Sequence, residues 1–231
     1  MKRNVIASRI ADLIKEWKNI DINDLHYKEN VKKYGEEEAR RRFNALKDKF
    51  TKVRDALKEW DLLKHLKTSI SKRPWDKYYQ FKDHDKDNLR FYFFINPVEP
   101  ESESPTKSLQ LNLEFWSDGT IYIFFRPWEF FATYYKDEEK AKHLEEILKE
   151  TGYVSYVLQQ DFIYYDGKRI DGSKRDQGTP DWNDWVGRAF NIKTITEEDI
   201  LNSFEDLKKA FDLYARAIQE ALNAQKFRGD S

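Results

Sequence analysis

"LQLNLEFWSDGTIYIFFR", residues 109–126, decides the fold. Two runs of alternating residues flank Ser117-Asp118-Gly119. A period of two marks strands with distinct faces, and Asp-Gly between them marks a tight turn. With a two-residue loop, Glu114 and Asn112 share a face with Ile121, Ile123 and Phe125, which mixes polar with apolar. With the three-residue loop 117–119, Gly119 takes the left-handed position after a type I turn and the faces separate. One face then collects Leu109, Leu111, Leu113, Phe115, Ile121, Ile123 and Phe125. The other collects Gln110, Asn112, Glu114, Trp116, Tyr122, Phe124 and Arg126. Clean alternation is what an antiparallel pair with one core face requires, so the three-residue loop is the expectation.

The second face raises the functional question. Either a helix covers it and satisfies its polar groups, or it is a stacking platform. Aromatic rings and Arg stack on planar groups, and Asn, Gln and Glu read donor and acceptor edges. The platform reading assigns stacking to Trp75, Tyr79, Trp116, Tyr122 and Phe124. It assigns edge reading to Gln110, Asn112 and Glu114. Phosphate contact goes to Arg126, Lys72 and Arg73, with Lys168 and Arg169 as a second basic pair.

Outward from the hairpin, "NLRFYFFINP" reads as another strand, ended by Asn96-Pro97. "VEPESESPTK" reads as a loop, and "YVSYVLQQDFIYYDGKRIDG" as one or two further strands. A helix is expected near 137–150, and Pro127 is read as a helix start. A closing helix begins at Thr196, whose "TEED" resembles a capping box. Ile200, Phe204, Leu207, Phe211, Tyr214 and Ile218 form its apolar stripe. The N-terminal part is helical. Residues 4–18 carry Ile6, Ile10, Ile14 and Trp17 on one face, and a polar stretch follows. Over 36–66, Ala39, Phe43, Leu46, Phe50, Val53, Leu57 and Trp60 recur in steps of four and three, a heptad seam. The first helix, or a second copy of the chain in a homodimer, fills that seam. The expected class is α+β: a mostly antiparallel sheet with flanking helices and a long N-terminal helical hairpin. The expected organisation is a helical region over 1–68, a sheet domain over 69–224 and a tail over 225–231.

Composition narrows the function classes. The 231 residues include no Cys, which excludes disulfides and zinc–thiolate sites. No run approaches the ~20 apolar residues of a membrane span, and a cytoplasmic location is the expectation. The balance of 41 basic and 42 acidic residues argues against binding polyanions by overall charge. Aromatics at 16% are the outlier and lean toward recognition. "SKRPWDKYYQF", 71–81, interleaves Lys72, Arg73 and Lys77 with Trp75, Tyr78 and Tyr79, as a nucleic-acid groove needs. A helix-to-strand connection with Trp75 in the core is the plainer reading. The stretch 161–185 places Asp at 161, 166, 171, 176, 181 and 184, a spacing that fits no calcium loop. His26, His65, His84 and His143 lack ligand spacing. No catalytic motif is found, and neither a metal nor a cofactor is expected.

Pro74-Trp75 with the following "DKYYQF", and the closing helix "FEDLKKAFDLYARAI", resemble the N-terminal DNA-recognition domain of McrB-type modification-dependent restriction GTPases. They cover about a quarter of the chain. The heptad helix and the Asp-rich stretch depart from that pattern. The resemblance implies a domain of a restriction or antiviral defence system. It implies binding of DNA, rather than RNA, whose modified base is flipped into an aromatic pocket. The GTPase motor would follow Ser231 or sit in a partner. This expectation competes with two others: an interaction or scaffold domain built on the heptad helix, and a metal-dependent hydrolase using the aspartates and Glu114.

Overall fold

A computed structural model describes residues 1–70, 88–97, 101, 108–127, 138–165 and 185–229. Helix α1 (Arg3–Lys18) forms where the sequence repeats apolar residues at helical spacing, and it buries Ile6, Ile10, Ile14 and Trp17. Helix α2 (Tyr27–Tyr34) follows a short 3-10 turn, Ile22–Leu25, started by the Asp21 side chain, which accepts the Asn23 N–H at 3.0 Å. Both lie in the stretch expected to be merely polar. Their apolar pattern is sparse, since Leu25 and Asn30 are their only fully buried residues.

Helix α3 (Glu36–Lys58) opens with three glutamates, which suit the positive end of the helix dipole. It buries the expected seam of Ala39, Phe43, Leu46, Phe50, Val53 and Leu57. Trp17 of α1 stacks on Phe50 with ring centroids 5.7 Å apart, so the seam is filled within the chain. The helix stops at Lys58, short of the expected 66. Beyond it, Leu63 N–H donates to the Trp60 carbonyl and Leu66 N–H to the Leu63 carbonyl, each at 2.9 Å. Such bonds wind the chain at about three residues per turn. Trp60, Leu63 and Leu66 therefore stay buried without an α-helix.

The strands are β1 (Lys67–Ile70), β2 (Asn88–Ile95), β3 (Leu109–Trp116), β4 (Thr120–Pro127), β5 (Ile163–Tyr165) and β6 (Trp185–Asn191). Among the described residues they form one sheet in the order β1-β2-β3-β4-β6-β5. β5 pairs antiparallel with β6, with Tyr164 opposite Val186. β3 and β4 are joined by the three residues 117–119, as expected. Gly119 has φ 82°, its N–H donates to the Trp116 carbonyl at 2.9 Å, and Asp118 accepts the Thr120 N–H at 2.9 Å. Pro127 is the last residue of β4 and not a helix start.

Helix α4 (Glu138–Glu150) matches expectation, and α5 (Tyr153–Leu158) corrects it: "YVSYVL" is helix, not strand. Gly152 between them has φ 82°, a left-handed turn that re-aims the chain. Tyr153 and Val157, four apart, then share the buried face. Helix α6 (Glu197–Gly229) starts at the expected box: the Thr196 hydroxyl donates to Asp199 at 2.8 Å and accepts the Asp199 N–H at 3.2 Å. All six residues of its stripe are buried, and the helix runs on past Ala224.

Two compact units share these elements. The first comprises Met1–Tyr92, Asn112–Ile123 and Ala189–Asn202, and the second Phe93–Leu111, Phe124–Arg188 and Ser203–Ser231. In the first, Phe115 and Phe91 pack with Phe50 at 6.5 and 4.8 Å, and Phe115 with Trp17 at 6.4 Å. In the second, Phe125 meets Tyr214, Phe211 and Tyr153 edge-on at 5.4, 5.8 and 6.3 Å. Phe115 and Phe125 belong to the face expected to be core. The fold class is α+β, with an N-terminal helical region and flanking helices, as the sequence implies.

Candidate functional site

Alternation along a strand sends Asn112, Glu114 and Trp116 to the side of β3 opposite Phe115. In the first unit these three meet Arg90 and Tyr92 of β2 and Tyr122 of β4. The Trp116 indole N–H donates to Glu114 Oε2 at 2.9 Å, and Arg90 approaches Glu114 Oε1 at 3.4 Å. The Glu114 side chain has no solvent exposure, whereas that of Arg90 keeps 19%. The carboxylate is thus held by one neutral donor and one cation, the arrangement that makes a buried charge tolerable. Arg90 also lies over the Tyr92 ring at 5.7 Å, and Trp116 meets Tyr122 edge-on at 5.2 Å.

Asn112 differs from its neighbours. It is 0% exposed, and among the described residues neither its amide nitrogen nor its amide oxygen has a hydrogen-bond partner. An amide buried without partners costs about 1–3 kcal/mol relative to a satisfied or apolar group. That cost is unusual in a native interior, where buried polar groups are paired.

In the second unit, Gln110 donates to Ser108 Oγ at 3.4 Å, and both are buried. The Trp185 indole stacks parallel to Phe124, with centroids 5.0 Å apart and 2° between planes. The Arg126 guanidinium lies 3.7 Å from the Trp185 ring centre. Phe124 and Arg126 are two apart on β4, so their side chains stand about 7 Å apart along the strand. One indole fits between them, and Arg126, 4% exposed, is stacked on a ring rather than offered to solvent.

Of the residues that the sequence marks, Asn112, Glu114, Trp116 and Tyr122 come together in the first unit. Gln110, Phe124 and Arg126 lie in the second. All seven are buried, with exposures of 0–7%. Trp75, Tyr79, Lys72, Arg73, Lys168 and Arg169 lie outside the described residues. So do the aspartates at 166, 171, 176, 181 and 184. Among the described residues, no cluster of His, Asp or Glu has the makings of a metal site, and no helix is long and apolar enough to cross a membrane. Sequence reasoning missed Arg90 and Tyr92. The signal was there: in "NLRFYFF", Leu89, Phe91 and Phe93 alternate with Arg90, Tyr92 and Phe94, as core alternates with second face in the hairpin.

Fold and site together define an α+β protein whose second sheet face combines aromatic rings with a buried carboxylate, guanidinium groups and amides. No protein-family model, curated protein or solved structure matches this chain.

Proposed function

We propose that the chain is a nucleic-acid recognition domain, DNA before RNA, that reads a base edge with Asn112 and Glu114 against the rings of Trp116 and Tyr122. The observation that carries this reading is Asn112. Its fully buried amide has both donor and acceptor unused beside a carboxylate held in place by Trp116 and Arg90. A polar group kept at a cost to stability is a mark of function. Nucleobases are planar, stack on aromatic rings and present donor and acceptor edges, so they match this set. The resemblance to modification-dependent restriction domains makes DNA with a modified base the first ligand to test, and defence the first biological setting.

Because the face is covered, a base reaches it only when the face opens. Association is then slower than the ~10⁵–10⁷ M⁻¹s⁻¹ of preformed interfaces. The test is fluorescence anisotropy with labelled single-stranded, duplex and base-modified DNA, on the wild type and Asn112→Leu. Leu has nearly the volume of Asn and removes the unpartnered amide. The variant is expected to melt higher, by about 2–4 °C for each kcal/mol recovered, and to bind at least tenfold more weakly. Unchanged binding in a folded Asn112→Leu, or no wild-type binding at tens of micromolar, would sink the reading.

A further inference from the structure

The hydrogen-bonding pattern of the first unit's cluster is specific enough to name an edge. We infer that, if the cluster reads a base, the base is guanine, recognised through its Watson–Crick edge. The inference rests on the nucleic-acid reading above.

Glu114 uses one oxygen for the Trp116 indole and the other for Arg90. Each carboxylate oxygen accepts about two hydrogen bonds, so one acceptor position on each is left. Arg90 balances the charge of Glu114, so a further cation would bring net charge into a buried site. A neutral ligand with N–H donors would not. Asn112 has a free amide NH₂ beside it on the same side of β3. The protein therefore offers one donor and two acceptors. The complement is a ring edge with one acceptor followed by two adjacent donors.

Guanine has that edge: O6, N1–H and the N2 amine. Its O6 would accept from Asn112 Nδ2, while N1–H and N2–H donate to Glu114. The other bases place lone pairs against the carboxylate. Adenine presents N1 beside its amine, cytosine N3 and O2, and thymine two carbonyls around one N–H. A site built to receive donors rejects analogues that lack them more strongly than an apolar pocket can, because its own polar groups are then left unpaired.

The experiment uses thymidine oligonucleotides with one central guanine, hypoxanthine, adenine or cytosine, titrated against the wild type, Glu114→Gln and Asn112→Leu. Hypoxanthine keeps O6 and N1–H and lacks only the N2 amine. The expected order is guanine first, hypoxanthine about tenfold weaker, and adenine and cytosine weaker still, since a bidentate contact discriminates by roughly this much or more. Glu114→Gln replaces one acceptor by a donor without changing shape, and it should abolish the difference between guanine and hypoxanthine. Asn112→Leu, in which no buried amide must be satisfied, reports on O6 independently if Glu114→Gln fails to fold. Nucleic-acid binding with no preference for guanine, or a preference untouched by both variants, overturns the assignment and leaves the nucleic-acid reading standing. No binding to any oligonucleotide overturns both.

Discussion

Gly119 holds the hairpin turn for a reason that lies in one torsion angle. Its φ of 82° belongs to the left-handed region, which residues with a Cβ enter at a cost. A Cβ there would also lie 3.0 Å from Ile22 Cδ1 and 3.5 Å from Ile192 Cγ2. The Ile22 methyl group is the end of a flexible side chain and can yield, but the torsion cannot. Gly119→Ala is therefore expected to lower stability by about 1–2 kcal/mol in urea titration, with unchanged m-value. A neutral substitution would mean that the turn relaxes. Glu38 gives a second test at this scale. Hydrogen bonds from Arg41 first, then Arg42, lower its pKa from 4.5 to about 2. A carboxyl whose folded value lies below its unfolded one adds stability that is complete above the unfolded value and is lost as pH falls through the folded one. The stability difference between wild type and Glu38→Gln should be constant above about pH 5 and vanish near pH 2. A difference independent of pH over that range would show that the ion pairs contribute nothing.

At the scale of elements, Phe50 is where α1, α3 and the sheet meet in the first unit. It stacks with Trp17, lies 4.8 Å from Phe91 and 6.5 Å from Phe115, and is fully buried. Phe50→Ala should cost about 3–5 kcal/mol, the range for truncating a buried aromatic. A loss below 1 kcal/mol would show that the seam does not hold α1. Elements with many apolar residues at one period were legible in the sequence: α1, the seam of α3, the stripe of α6 and the hairpin. α5 was not, because "YVSYVL" is β-branched and aromatic. Its helicity follows from the packing of Tyr153 on Tyr214, with ring centroids 4.8 Å apart, after the left-handed Gly152. α2 was not, because a helix with one buried residue leaves no periodic trace. The division of the hairpin into two faces was legible from alternation alone. That the second face is buried was not, because alternation shows which residues share a side and says nothing about what lies over them. Nor was the Glu114 network, since Arg90 and Trp116 reach it from different strands.

Charge acts at the scale of the whole molecule. With 41 basic and 42 acidic residues the chain has a formal net charge of −1, so it exerts no long-range pull on a polyanion. The described cations are also largely committed. Arg40, Arg41 and Arg42 pair with Glu36 and Glu38, and Arg188 pairs with Asp206. Arg126 lies against Trp185. A protein that neutralises Z phosphates loses affinity with salt as a power of about 0.9Z, and strong polyanion binders neutralise six to ten. Here recognition would rest on the buried cluster of β3, which meets a base and not the phosphates. Two or so phosphate contacts are then expected, and affinity should fall about tenfold between 50 and 200 mM salt. Anisotropy titrations at four salt concentrations give the slope directly. A fall of 10³ or more would mean that phosphate contacts dominate and that the aromatic and polar face is not the source of affinity. With a shallow slope, the guanine series and Asn112→Leu would be reading the β3 cluster itself, because little affinity would come from anywhere else.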